Sequence, residues 1–262
     1  MSMKAINLNY IQDETIRNRW EMILDQAYRA VEKYQSMNTS FLTPAEWIYA
    51  EDILSGVPDL YWLLDGGYEN AERKIITMKH NDLSEFPSEQ IIDVLSIKST
   101  SKFQTLTHRD YLGAILSLGI KREKIGDLLV MEGYAIVFTF AEMAEYISQN
   151  LSRIANCSVK VREMSEDEVN SVEPEYKIVK GTVASMRVDS LVALAYALSR
   201  KEAQALISQE KVRVNWKTVY KSNVELKENE LISVSGYGRA VLLEVGGTTR
   251  SDRRHVTIGH RR

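Results

Sequence analysis

Between residues 91 and 163 the apolar pattern switches between a period of two and a helical period in the order strand, helix, strand, strand, helix, strand. The strand-like runs are Ile91 to Lys98, Gly126 to Met131, Tyr134 to Phe140 and Ser158 to Glu163; Glu132-Gly133 supplies a hairpin turn between the middle two. A helix opens at Thr107, with Asp110 three residues on, and a second runs from Ala141 to Ile154. The order β-α-β-β-α-β is the split βαβ of ferredoxin-like folds, which hosts RNA-recognition domains and many unrelated enzymes. Tyr134, Ile136, Phe138 and Phe140 alternate onto one face of the third strand. Such a stripe is either a base-stacking platform or buried core; large apolar residues are mostly inside, which favours core.

That unit is less than half of a 262-residue chain, so further domains are expected on either side. Upstream, Ile16, Trp20, Ile23, Leu24, Ala27, Val31 and Tyr34 recur at helical spacing. Thr43 is set to cap a second helix, with Pro44 at its first position and Glu46 closing a capping box, and this helix is expected to run to about Gly56. Asp65-Gly66-Gly67 reads as a turn between strands Leu60 to Leu64 and Ala71 to Met78. The sequence thus divides into a mainly helical piece (1–71), an α+β middle domain (72–165), an acidic linker (166–180) containing Pro174, a small C-terminal domain (181–246) and a basic tail (247–262). Arg250, Arg253, Arg254, Arg261 and Arg262 make that tail basic, and it is expected to be mobile.

The charge is unevenly spread. Residues 181–262 hold 14 Lys and Arg against 8 Asp and Glu, a net of +6, whereas the first 180 residues carry a net of −9. Any phosphate-bearing partner is therefore drawn to the C-terminal end. A single cysteine, Cys157, excludes an internal disulfide and suits a reducing cytoplasm, and four scattered histidines make no metal cluster. Neither a signal-peptide core nor an apolar run of membrane-spanning length is present, so no membrane span is expected.

In the C-terminal domain Arg187-Val188-Asp189 opens an apolar helix, Ser199 caps a second helix through Glu202, and Val212, Val214, Val219, Leu226, Ile232 and Val234 alternate as short strands. Its polar positions are basic: Arg200, Lys201, Lys211, Arg213, Lys217 and Lys221. The pattern Arg187-Val188-Asp189, Ser199-Arg200, Ala203, Leu206-Ile207 and Val212-Arg213-Val214-Asn215 resembles the S4 RNA-binding domain. That resemblance implies binding to folded RNA through the helix pair and the turn that follows, with Arg187, Ser199, Arg200, Lys201, Gln204, Lys211, Arg213, Asn215, Trp216, Lys217 and Lys221 as the contact residues. Two departures stand out. Trp216 occupies a turn position where S4 domains place glycine, so either the turn differs or a non-glycine residue is strained there; its ring is a candidate for stacking or for packing on its own hairpin. Glu228-Asn229-Glu230 replaces the usual Gly-Asp turn.

Two blocks carry a wider resemblance: Gly66-Gly67-Tyr68-Glu69-Asn70-Ala71-Glu72-Arg73-Lys74, and Leu106-Thr107-His108-Arg109-Asp110-Tyr111-Leu112-Gly113-Ala114 continuing to Gly119-Ile120-Lys121-Arg122-Glu123-Lys124-Ile125-Gly126-Asp127. With the S4 pattern they make the chain similar to the YlmH family of bacterial S4 proteins. That likeness implies RNA binding without catalysis, by a helical N-terminal piece, an RRM-like middle and an S4 domain. Small S4 relatives act on the large ribosomal subunit carrying tRNA after a stall, so ribosomal RNA or tRNA and the ribosome are the implied partners. Arg109, Lys121, Arg122 and Lys124 offer a second RNA contact or a solvated face.

Enzyme signatures fail on spacing. His108-Arg109-Asp110 lacks the Asn that a kinase catalytic loop needs five residues after the Asp, where Ile115 stands. Thr257-Ile258-Gly259-His260 has no nucleotide-binding domain after it, no glycine-rich cofactor loop follows a strand, and Asp189 is placed to cap or orient rather than to catalyse. The expectation is a non-enzymatic, cofactor-free cytoplasmic RNA-binding protein. The alternatives are an RNA-modifying enzyme, or a scaffold whose acidic N-terminal half recruits a protein partner in translation or cell division.

Overall fold

The computed structural model describes residues 6–83, 91–100, 106–170 and 176–261. The chain divides into two compact units, Met1–Glu173 and Pro174–Arg262. Of the expected linker, residues 171–175, including Pro174, lie outside the described residues; α6 (Glu166–Asn170) precedes that gap, and Ser165 and Glu168 form its expected capping pair. Among the described residues no helix is long and apolar enough to cross a membrane.

The first unit begins with α1 (Glu14–Glu32), started by the Asp13 carboxylate, which accepts the N–H groups of Thr15 and Ile16. Its buried stripe is Trp20, Ile23, Leu24, Ala27 and Ala30, the spacing expected of an amphipathic helix. The stripe packs on a three-stranded sheet of order β1-β3-β2, formed by β1 (Met37–Asn38), β2 (Leu60–Asp65) and β3 (Ile75–His80). The N-terminal helical piece therefore carries a sheet as well, and that sheet extends past residue 71.

The capping box at Thr43 forms, with the Glu46 carboxylate accepting from the Thr43 N–H at 2.6 Å. The expected single helix is instead two short ones, α2 (Pro44–Trp47) and α3 (Ala50–Leu54). A buried indole explains the break: Trp20 Nε1 donates to the Glu46 carbonyl at 2.8 Å, the acceptor a continuous helix would offer to Ala50.

Next comes the ferredoxin-like core, with β4 (Ile92–Ser99), α4 (His108–Ser117), β5 (Ile125–Met131), β6 (Tyr134–Phe140), α5 (Ala141–Asn150), β7 (Arg153–Ile154) and β8 (Cys157–Glu163). The sheet order is β5-β6-β4-β8-β7 and all its pairings are antiparallel. Helix α5 stops four residues short of Ile154, which belongs to β7. Leu95, Ile97, Ala135 and Val137 face α4 and α5, where Tyr111, Ile115, Ala144 and Ile147 complete one core.

The opposite face of this sheet is also covered. Ile92, Val94, Ile136 and Phe138 are buried against Phe41 and Ile75. Tyr68 stacks on Phe138 with ring centroids 4.6 Å apart, and Phe41 meets Phe140 edge-on at 5.3 Å. The aromatic stripe is core. Two glycines permit this closeness: a Cβ on Gly67 (φ +87°) would lie 2.7 Å from the Phe138 ring, and one on Gly126 would lie 2.6 Å from Phe41.

Asp127 locks the seam. Its buried carboxylate accepts the Tyr68 hydroxyl at 2.8 Å and the N–H groups of Glu72 and Arg73 at 2.7 and 3.0 Å. Arg73 reaches back through Nε to the Ile125 carbonyl and through Nη2 to that of Phe41, both at 3.0 Å. The two sequence blocks upstream and downstream of the first strand of the middle domain thus meet each other.

The second unit consists of β9 (Tyr176–Val183), α7 (Val188–Ala195), α8 (Arg200–Ser208), β10 (Val212–Val214), β11 (Lys217–Thr218), β12 (Leu231–Val234), β13 (Gly238–Thr248) and β14 (Arg254–Arg261). One sheet of order β11-β10-β12-β13-β14-β9 backs the two helices. Residues 254–261 do not trail as a mobile tail: β14 is hydrogen-bonded to β13 on one side and β9 on the other, and Val256 and Ile258 are buried. Thr257-Ile258-Gly259-His260 belongs to this strand, where the His260 ring lies 2.7 Å from the Ala195 carbonyl. Arg262 lies outside the described residues.

Asp127→Ala strands two amides and a phenol in a closed seam and is expected to destabilise the first unit by about 3 kcal/mol. Urea unfolding of the full chain, followed by Trp fluorescence and by circular dichroism, should show one transition moved to lower urea and the transition of the C-terminal unit unmoved.

Candidate nucleic-acid interface

Asp189 organises the helix pair of the C-terminal unit. It sits in the first turn of α7 and is fully buried. Three side chains converge on its carboxylate: Arg187 through Nε and Nη2 at 3.2 and 3.1 Å, Arg200 through Nε at 3.1 Å, and Gln204 through Nε2 at 2.8 Å. Arg187 also donates to Ser222 Oγ at 3.3 Å. Burial by itself pushes the Asp189 carboxyl up, but the hydrogen bonds from Gln204, Arg200 and Arg187 outweigh it and hold the carboxyl at about 2. Both arginine side chains are part-exposed, 32% and 51%. Each turns its Nε and Nη2 edge onto the buried acid, so Asp189 fixes both guanidinium groups and leaves Nη1 of each without a protein partner among the described residues.

Ser199 makes its expected capping box with Glu202, so its hydroxyl serves the start of α8. Lys201, on the first turn of α8, is exposed, as are Lys211, Arg213, Lys217 and Lys221; among the described residues none of the five forms an ion pair. Cross-strand register sorts them. Arg213 on β10 lies opposite Ser233 on β12, which lies opposite Arg239 on β13, so these three share one face. Lys217 pairs with Val214 and belongs to the other row.

The turn between β10 and β11 has the backbone that glycine would favour, but with Asn215 at φ +45° and Trp216 at φ +69°. Two contacts hold it. Asn215 accepts the Leu231 N–H through Oδ1 at 2.9 Å and donates to Glu230 at 3.0 Å, while the Trp216 ring lies under the Arg239 guanidinium at 4.8 Å. The strained-turn alternative is therefore the one adopted. Asn229, in the replaced Gly-Asp turn, likewise has positive φ (+67°), and Glu228 and Glu230 bond to the backbone N–H groups of Val245 and Lys227. Arg239 had no signal in the sequence: it follows Gly238 in a run with no S4 pattern, and only the strand register brings it to Trp216.

The four basic residues of the middle-domain block have different surroundings. Arg109 and Lys121 are exposed. Arg122 donates to the carbonyls of Ile125 and Gly126, and Lys124 pairs with Glu142 at 2.7 Å and lies over the Phe140 ring. Arg122 and Lys124 are thus engaged within the fold, and the four do not form one free basic face. Asp110 spends its carboxylate on the Thr107 N–H and hydroxyl, as a helix cap. Cys157 is buried in the core of the middle domain, and among the described residues no cluster of His, Cys, Asp and Glu is placed to hold a metal.

A carboxyl held low contributes stability that is fully present above its unfolded value and disappears as pH falls through the folded one. For Asp189 that window runs from about pH 4 to about pH 2, and the contribution is about 2 kcal/mol. Asp189→Asn should lower stability at neutral pH by about this amount and flatten the acid limb of a thermal-unfolding series for the C-terminal transition.

Three family models match in chain order: "YlmH, N-terminal" over residues 16–83, "Putative RNA-binding domain in YlmH" over 87–168, and the S4 domain over 186–232. A curated relative, "Ribosome-associated protein quality control protein P2" of Bacillus subtilis (strain 168), is 28% identical over 227 residues, which cover 87% of this chain and 88% of that one. The solved structure of "Cell division protein ylmH from Streptococcus pneumoniae" has the same fold, with a TM-score of 0.50 at 20% identity over 64% of this chain and 98% of that one. With both YlmH models and the S4 model aligned along it, the chain belongs to the YlmH family of S4-domain proteins.

Proposed function

We propose that this protein is a non-enzymatic RNA-binding protein that docks its S4 unit on structured ribosomal RNA or tRNA, on the large ribosomal subunit, in the handling of stalled translation. The observation that carries the reading is the cluster around Asp189: two part-exposed arginines fixed by a buried acid, in a unit where Lys201, Lys211, Lys217 and Lys221, and Arg213 on the opposite row of the sheet from Lys217, are exposed and not ion-paired among the described residues. Such a unit suits a folded polyanion, because fixed guanidinium groups give register and exposed cations add counterion release. The B. subtilis relative, named for ribosome-associated quality control, supports the ribosome as the place of action. The carboxyls of Asp110, Asp189 and Glu202, all held low by their hydrogen-bond partners, serve two helix caps and one structural cluster, which supports binding rather than catalysis at these acids.

The test is co-sedimentation with purified ribosomal subunits across a salt series. Reversing Arg200 would set a second carboxylate against buried Asp189 and confuse folding with binding, so the informative variant is Lys201→Glu with Lys217→Glu. It should fold as the parent does, bind at least tenfold more weakly to the large subunit, and lower the slope of log K against log salt by about two. Equal affinity of variant and parent would place the RNA contact elsewhere.

Trp216→Gly separates strain from stacking. Glycine relieves the positive φ but gives up the Arg239–indole contact and gains freedom in the unfolded chain, so the unfolding free energy of the C-terminal unit should change by less than about 1 kcal/mol. The same variant should bind the large subunit about tenfold more weakly if the indole stacks on a base or sugar, and equally well if it only packs on Arg239.

A further inference from the structure

A second cationic site lies in the first unit, where four separate chain segments converge: α1, residues 40–46, residues 72–74 and the turn at 121–124. They enclose an open cavity of 470 Å³ whose wall includes Arg19, Arg73, Lys121 and Arg122. Set against these are Glu46 and Glu123 in the same wall, and Asp127 just beneath it. The acids are already committed or outnumbered. Glu46 accepts from the Thr43 N–H and hydroxyl, and Asp127 accepts from two amides and the Tyr68 hydroxyl.

The cations are held mostly by uncharged acceptors. Arg73 Nε and Arg122 Nη1 both donate to the same carbonyl oxygen, that of Ile125. Arg19 donates to Ser40 Oγ. A carbonyl carries only a partial charge, so two guanidinium groups that share one are only partly compensated, by Asp127 for both and by Glu46 for Arg73. Arg122 is accordingly driven down to about 10, first by burial and then by Arg73, with Asp127 opposing; Arg73 is driven down by burial and by Arg19, with Glu46 and Asp127 opposing. Folding alone does not require like charges to be gathered in a partly buried cleft, and hydrophobic residues of similar size would fill it at lower cost. Among the described residues, Arg73 Nη1 and Arg122 Nε and Nη2 donate to no protein group, so N–H donors remain for a ligand.

We propose that this cleft is a phosphate-binding site, in which Arg73 and Arg122 supply fixed guanidinium donors, and Arg19 and Lys121 close on the same phosphate group from the rim. A tetrahedral oxyanion meets several donors at once, which neither a carboxylate nor a halide does as well. The first 180 residues carry a net charge of −9, which opposes a long phosphate track and favours a single phosphate. Its source is either one position of an RNA chain or a nucleotide. The site is independent of the S4 surface and does not rest on the function proposed above.

The test uses the full chain and inorganic phosphate as the first probe, with chloride at equal ionic strength as the control. Phosphate should raise the unfolding temperature of the first unit saturably and chloride should not. Arg19→Met with Lys121→Met should weaken phosphate binding at least tenfold, as read by calorimetry, while leaving the unfolding temperature without phosphate unchanged. Because Arg19 also bonds Ser40, Lys121→Met alone, at an exposed side chain, is the reserve variant and should weaken binding about threefold. Lys201→Glu with Lys217→Glu should leave phosphate binding intact, so loss of ribosome binding and loss of this site are read separately. Adenosine monophosphate and an unphosphorylated oligouridylate then distinguish the sources: tighter binding of the first assigns the cleft to nucleotides, tighter binding of the second to chain phosphates. Absence of saturation by phosphate, or equal binding by the parent and the rim variants, overturns the proposal.

Discussion

The covering of the ferredoxin-like sheet on its second face is the constraint from which the rest of the first unit follows. An RRM that binds RNA leaves that face open, with aromatics presented to bases. Here Ile136 and Phe138 are buried by Phe41, Ile75 and Tyr68, and the contact is closed by Asp127, whose carboxylate accepts from three groups on the other side of the seam. Exposing the face would require breaking three hydrogen bonds to a buried acid and returning large rings to water. The RNA-recognition-like fold of the middle domain therefore does not present a base-stacking platform on this face. The two glycines at the seam, Gly67 and Gly126, mark the same constraint from the side of sterics.

In the C-terminal unit an acid again governs the arrangement, but toward a different end. Asp189 is buried without trace of solvent, while the arginines it binds are partly exposed. The ion pairs therefore fix the arginines as well as stabilise the unit, since a guanidinium bound to a buried acid has lost most of its rotamer freedom before any ligand arrives. Lys201, Lys211 and Lys217 are exposed and, among the described residues, form no ion pair. The strained turn at Trp216 fits the same logic: Asn215 and Arg239 hold a backbone conformation that glycine would reach without help, and the result is a large ring kept at the tip of a hairpin.

Features encoded locally were legible in the sequence. The capping pairs at Thr43, Thr107, Ser165 and Ser199 each depend on two residues three apart, and the β-α-β-β-α-β order depends on periodicity within short windows. What was missed depends on distant partners. Trp20 breaks a helix at Glu46 from twenty-six residues away. In β14, the buried Val256 and Ile258 alternate as a strand should, but Arg253, Arg254 and Arg261 around them read as a tail. Arg239 reaches Trp216 only through the register of three strands.

The basic residues of the middle domain show why formal charge is a poor guide to functional charge. Arg122 and Lys124 stand within four positions of Lys121 in the sequence, and all three suggest one solvent-facing block. The fold ties Arg122 to carbonyls and Lys124 to Glu142, and joins Lys121 and Arg122 in one cavity wall with Arg73 and Arg19, which lie about fifty and one hundred residues earlier. A charge is available to a ligand only when its protein partners leave donors unused and its field is not cancelled nearby. By that criterion the cleft beside α1 and the surface around Asp189 are alike. Each fixes arginines through acceptors that leave N–H groups over, and each keeps lysine at the margin, although one lies in an acidic unit and the other in a basic one.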